Sequence, residues 1–251
     1  MYSRCDKMAA DGKAARTGEA NVRSVGKGSR VVKKIFLDLE MNGVPWKIRK
    51  RCGLRMEIIE IGAVMLNDEN EETGCFREFV KPQLSDAMEP AVEKLTNIHF
   101  DQLESAPPLE DVLRRFLIWC GDGCEVYSWS DADSRQIIKE TDCKGIGQSA
   151  ALQEMLGCWH DYQAEFGALL PFEKKLSLSQ AVLIAGLEFS GRAHDGLNDA
   201  RSTADLYRMA GDPQQFGRFR KNVRRAFGLE EESPVTMGDL FDFSNLTSRA
   251  G

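Results

Sequence analysis

The 251-residue chain has no long apolar run. Its hydrophobic stretches are about the size of Ala181-Val182-Leu183-Ile184-Ala185, far short of the ~20 residues a membrane-spanning helix needs. A secretory signal is also missing, because the first thirty residues are polar, basic and rich in Gly, Ala and Ser. The seven cysteines form no C-x-x-C pair and are odd in number, which argues against a disulfide framework. They suit free thiols in a reducing, cytoplasmic compartment. Cys120 and Cys124 are the nearest pair; with no matching second pair they read as a helix end and a loop rather than zinc ligands. No repeat at solenoid spacing occurs.

Overall positive charge is lacking too, since the net charge is -6. Its distribution is uneven. Residues 1–34 carry nine Lys/Arg against three Asp/Glu, or +6, whereas residues 35–210 carry eighteen against thirty, or -12. The total therefore does not predict a nucleic-acid partner, but local basic patches and bound cations decide that question. Two patches exist: Lys47, Arg49, Lys50, Arg51 and Arg55, and further on Arg218, Arg220, Lys221, Arg224 and Arg225. Taken alone, each reads as a solvated basic face.

A hydrophobic content of 42% with interleaved helical and strand patterns fits one main α/β domain with tails. Residues 1–30 lack apolar periodicity and read as a disordered basic leader, 31–211 as the main domain, and 212–251 as a partly helical appendage. Strands are expected over 33–40, 57–66 and 75–80, joined by short polar links as an antiparallel meander. Helical pattern follows over 89–95 and 109–120, where Leu109, Val112, Leu113, Phe116 and Leu117 share a face. A strand over 125–129 precedes a helix from Asp133 with Ile137 and Ile138 buried. A short strand over 158–162 and a helix over 163–169 come next. Further helices are expected over 177–187, with Ser177 as N-cap, and over 196–210. A last one runs through Phe216, Phe219, Val223 and Phe227. The expected fold is a mixed sheet, meander then parallel strands, flanked by helices.

The chemistry starts in the first strand, Ile35-Phe36-Leu37-Asp38-Leu39-Glu40. Side chains at i and i+2 of a strand share a face, so Asp38 and Glu40 stand side by side. Two adjacent carboxylates in an apolar strand repel each other and resist desolvation unless a cation or proton lies between them. A divalent metal is the simplest answer. Partners for it occur in Ser128-Trp129-Ser130-Asp131-Ala132-Asp133, where a strand hands over to a helix, and in His194-Asp195-Gly196-Leu197-Asn198-Asp199. Asp133 alone reads as a helix N-cap and Asp131 competes with it. Ile137, four residues on from Asp133, favours Asp133, since four on from Asp131 lies Arg135. His194 near Asp199 is a candidate general base.

In that order, FLDLE, SWSDAD and HDGLND resemble the three motifs of the DEDDh (DnaQ-like) 3′–5′ exonucleases over roughly residues 31–210. Glu57-Ile58-Ile59-Glu60-Ile61-Gly62, Phe79-Val80-Lys81-Pro82, Leu95-Thr96-Asn97-Ile98 and the run from Gly186 into His194 are similar to the three-prime exoribonuclease (Eri-like) branch. The resemblance implies an RNase H-like fold and a two-metal phosphodiesterase. Asp38, Glu40, Asp133 and Asp199 would hold two Mg2+ or Mn2+ ions about 3.5–4 Å apart, and His194 would deprotonate water. Glu40 is counted with His194 among the catalytic residues. Met41, Leu95, Thr96 and Ile98 match positions flanking the terminal nucleotide, with ordinary core packing as the equal alternative.

Asp195 departs from the usual pattern, where Ser is frequent, and if it faced the site it would raise the His194 pKa. The implied partner is nucleic acid, an RNA 3′ end in preference to DNA, with the basic loop 47–55 as the place that holds it. A DNA exonuclease and a non-catalytic nucleic-acid-binding protein of the same fold are the alternatives. No membrane partner is expected, and no feature specifies an oligomeric state.

Overall fold

The structure, a computed structural model, describes residues 33–147, 149–170 and 175–229. The expected leader and the end of the C-terminal appendage lie outside these residues. Five strands build one sheet in the order β3-β2-β1-β4-β5: β1 (Lys33–Gly43), β2 (Met56–Leu66), β3 (Glu72–Phe79), β4 (Cys124–Ser128) and β5 (Trp159–Asp161). β1, β2 and β3 are antiparallel neighbours, while β4 runs parallel to β1 and β5 parallel to β4. The meander comes first because short polar links suffice for antiparallel pairs, whereas parallel strands need the longer helical crossovers that follow. The helices are α1 (Trp46–Cys52), α2 (Pro90–Thr96), α3 (Phe100–Glu104), α4 (Leu109–Cys120), α5 (Ala132–Lys144), α6 (Ala150–Gly157), α7 (Tyr162–Ala168), α8 (Leu178–Ala185), α9 (Gly196–Gly211) and α10 (Pro213–Ala226).

The period-2 alternation of β1 sorts the core into two layers. Ile35, Leu37 and Leu39 pack on one face with Val112 and Phe116 of α4, Ile137 of α5 and Leu152 of α6. Phe36 packs on the other with Phe166 of α7, Val182 of α8, Leu206 of α9 and Phe219 of α10. Each such side chain contributes about 1.5–3 kcal/mol when fully buried. Asp38 and Glu40 continue the row begun by Phe36, so the strand spends two of its inward positions on carboxylates. That cost marks where function enters.

Several expectations are corrected. β1 runs on to Gly43, because Asn42 is fully buried and holds the next segment through Ala87 O at 3.0 Å and Glu89 N at 2.9 Å. The basic loop contains a helix, α1, framed by Pro45 and the left-handed Gly53 and carrying Arg49, Lys50 and Arg51 in its last turn. This arrangement suits the helix dipole. None of its residues is buried, so it leaves no apolar stripe to read. Ile137 is fully buried but Ile138 is 37% exposed, since adjacent helical residues point about 100° apart. Cys52, Cys120, Cys124, Cys143 and Cys158 are free thiols, whereas Cys75 is disulfide-bonded, against the expectation of free thiols throughout.

Candidate active site

The site is built where β1, β2 and the start of α9 meet. Between Glu40 and Met41 the β1–β2 pairing slips by one residue: Glu40 lies opposite Glu60, but Met41 lies opposite Ile58. The extra residue, Ile59, lies on β2, so the bulge bends β2 there, beside Met41, which lines the cleft.

Two glycines let α9 touch down on the sheet. A Cβ on Gly62, the partner of Asp38 in the register, would lie 2.2 Å from the Gly196 carbonyl carbon and from the Leu197 nitrogen. A Cβ on Gly196 would lie 3.2 Å from the Asp38 carbonyl oxygen. Only backbone fits between them, so the first turn of α9 sits directly on β1 and β2 and brings Asp199 beside Asp38 and Glu40. The Asp195 side chain caps that turn by accepting from the Asn198 N–H at 3.1 Å. His194 is held at φ 60°, the left-handed region, and its N–H donates to Asp199 Oδ2 at 3.1 Å. Strained backbone of this kind persists where neighbours hold it in place.

The α5 end resolves the competition between two aspartates. Asp131 is only half-buried and pairs with Arg135 at 2.5 Å, while Asp133 is buried and faces the cleft. The register of Ile137, buried on the core side, turns Asp133 inward.

Asp38, Glu40, Asp133, His194 and Asp199 thus line one cleft of about 370 Å³, together with Met41, Leu95, Thr96, Met56, Trp129 and Ser130. Ile98 does not line it; it is buried with Ile59, Met88 and Leu103. An oxygen of Glu40, an oxygen of Asp199 and a ring nitrogen of His194 lie within 4.8 Å of one another. Desolvation raises the Asp38 carboxyl well above its usual range, reinforced by the charges of Asp133, Glu40 and Asp199. Burial and the neighbouring Glu60 push Glu40 up to about 8. Burial pushes Asp133 up to about 7 against hydrogen bonds that lower it, and burial raises Asp199 as well. Four clustered acids that resist ionisation are what a cationic ligand relieves.

A divalent metal fits on independent grounds. Glu40 Oε1 and Asp199 Oδ1 are buried without a hydrogen-bond partner among the described residues. Oxygen-rich carboxylate sites suit hard cations such as Mg2+ or Mn2+.

Arg77 is a part of the site that motif reading passed over. From β3 it pairs with Glu60 and, at 2.8 Å, with Asp195 Oδ2. The unusual Asp195 is therefore occupied by the helix cap and by Arg77. Arg192 ties the same loop across to α2, donating to the Lys94 carbonyl at 2.9 Å and the Leu95 carbonyl at 3.0 Å. Both links span too much sequence to be read from local pattern.

A mixed five-stranded sheet flanked by helices is the architecture of RNase H-like exonucleases. Residues 35–207 match the Exonuclease family (RNase_T), and the chain belongs to that family. It is 32% identical over 194 residues to "ERI1 exoribonuclease 2" of Danio rerio, covering 68% of this chain and 34% of that protein. It is 25% identical over 171 residues to "3'-5' exonuclease Snipper" of Drosophila melanogaster, covering 60% of this chain and 59% of that protein. The chain thus spans about a third of the length of the zebrafish relative and somewhat over half of the fly one. Among solved structures, the nuclease domain of 3'hExo, a DEDDh family member bound to rAMP, superposes with a TM-score of 0.61 at 20% identity, covering 74% of this chain and 96% of that one. Among the described residues no helix is long and apolar enough to cross a membrane.

Proposed function

We propose that this chain is a metal-dependent 3′–5′ exoribonuclease that releases nucleoside 5′-monophosphates from RNA 3′ ends. The observation that carries the reading is the convergence of Asp38, Glu40, Asp133, Asp199 and His194 on one cleft, with buried carboxylate oxygens left over for a cation. Asp38, Glu40, Asp133 and Asp199 would hold two Mg2+ or Mn2+ ions. When bound, these supply Lewis acidity and charge neutralisation at the scissile phosphate. His194, on an exposed loop at the cleft, takes the proton from the attacking water, and the fixed loop backbone keeps its ring in reach. Met41, Leu95 and Thr96 wall the place where the terminal nucleoside lies. The names of the exoribonuclease relatives favour RNA.

The test is hydrolysis of matched 5′-labelled RNA and DNA oligonucleotides, with and without EDTA, by the natural chain and by Asp38→Asn. Loss of hydrolysis in EDTA and in the variant, with unchanged far-UV circular dichroism, is expected. Full activity of Asp38→Asn would overturn the reading, and faster cleavage of DNA would turn it to a DNA exonuclease.

A further inference from the structure

The link from β1 to β2 leaves the sheet at the end where the carboxylates stand. Met41 and Met56, on either side of it, both line the cleft. Between them α1 stands clear of the core, with none of its residues buried. Its first residue, Trp46, is 66% exposed and is the one aromatic among the exposed large hydrophobic side chains of the described residues. The Lys50 ammonium sits 4.9 Å from the centre of the indole ring. Lys47, Lys50, Arg51 and Arg55 are all exposed and make no ion pair among the described residues. Arg49 differs, because it turns inward and donates to the Val44 carbonyl. Within residues 35–210, which carry -12, these four exposed cations of one short segment, one of them over an exposed indole, oppose the prevailing negative charge.

We propose that α1 holds the single-stranded nucleic acid just upstream of its 3′-terminal nucleotide, a base stacking on Trp46 and the phosphates running past Lys47, Lys50, Arg51 and Arg55. The combination is what sequence-tolerant single-strand binding requires: an aromatic face for any base and a cationic track for the backbone. Lys50 sits over the indole, which is otherwise largely exposed, adding a cation–π contact to the stack. Trp46 lies six positions on from Glu40, a reach of at most about 22 Å, which a few nucleotides of extended strand cover. The proposal rests on the exonuclease reading for the direction of the strand. A rival surface exists on α10, where Arg218, Arg220, Lys221 and Arg224 are exposed, but the exposed large hydrophobic side chains include none from that helix.

The test uses the full chain and three variants: Trp46→Ala, Lys50→Gln with Arg51→Gln, and Arg220→Gln with Lys221→Gln on the rival helix. Binding of a 5′-fluorescein 12-nucleotide single-stranded RNA is followed by anisotropy in EDTA over a range of salt. Hydrolysis of that RNA and of a dinucleotide is followed with Mg2+. Trp46→Ala is expected to weaken binding about tenfold and to raise the ratio of the 12-mer KM to the dinucleotide KM by a similar factor. The Lys50/Arg51 pair is expected to lower the salt slope by roughly 1.4, the loss of two phosphate contacts on a single strand. The α10 pair is expected to bind as the natural chain does. Natural binding by both α1 variants, or a loss carried by the α10 pair instead, would overturn the proposal. Absence of hydrolysis by the natural chain would count against the exonuclease reading alone, since the anisotropy arm reads α1 without catalysis.

Discussion

Stripping divalent cations and raising the pH from 5 to 9 is expected to destabilise this fold, because the carboxylate cluster is easier to bury neutral than charged. Glu40 is pushed from 4.5 to about 8 and Asp133 from 3.8 to about 7. A carboxyl whose folded pKa lies above its unfolded one contributes stability that is complete below the unfolded value, near 4. That contribution is lost as the pH rises through the folded values, here about 7 and 8. A tenfold change in proton affinity is worth about 1.4 kcal/mol, so either group alone sets a ceiling of roughly 4–5 kcal/mol. Counted from pH 5, about two pH units of titration remain for Asp133 and three for Glu40, so a loss of about 3 kcal/mol is expected. For a chain of this size that lowers Tm by about 5–10 °C. Scanning fluorimetry in EDTA across pH 5–9 reads it directly. Mg2+ or Mn2+ should restore Tm more at pH 8.5 than at pH 6, because at the lower pH the cation must displace protons. Asp38→Asn should flatten the EDTA curve by removing one charge from the centre of the cluster. A Tm in EDTA that is flat or rises with pH would refute the reasoning.

Three further outcomes are expected. His194→Ala should lower kcat by about 10²–10⁴ with little change in Tm, since the side chain is exposed; steady-state kinetics with a thermal melt checks both. Gly62→Ala should cost about 3 kcal/mol or more in urea unfolding and reduce turnover as well, because its Cβ meets α9 backbone at 2.2 Å and neither side can give way like a flexible side chain. Lys144→Met should cost about 3–5 kcal/mol, measured in the same way. Lys144 Nζ lies 2.7 Å from Glu140 Oε1 and 3.4 Å from Glu57 Oε2, and both glutamates are fully buried, so its loss leaves two charges inside the protein unpaired.

The parts of the fold that could be read in advance are those whose cause is local. The stripe from Leu109 to Phe116 gives α4, and alternation through Ile35, Leu37 and Leu39 gives β1. Ser177 with Gln180 forms the expected capping box of α8. The Asp38–Glu40 pair announced a charged site because an apolar strand has no other use for two acids. Elements with weak apolar faces escaped. α1 buries nothing and was signalled only by Pro45 and Gly53, and α6 buries only Leu152 and Met155 behind the Ser149 cap. Long-range pairings escaped for a different reason. Arg77 with Asp195, and Glu57 with Lys144, depend on the sheet having already formed, and no window of sequence contains both partners. Gly62 did leave a trace: a glycine inside an apolar strand marks a close backbone approach, although what approaches is not written nearby.

The contact between Gly62 and Gly196 also separates two properties that usually change together. Since the helix bearing Asp199 rests on strand backbone with no side chain between them, its height above Asp38 is set by peptide dimensions, which do not vary from residue to residue. Core side chains such as Val182, Leu206 or Phe219 decide how firmly α9 is pressed down, but the stop it is pressed against is rigid. The spacing of the acids is in this sense a fixed gauge. Drift in the surrounding core changes how long the folded protein lasts while leaving the dimensions of its cleft in place.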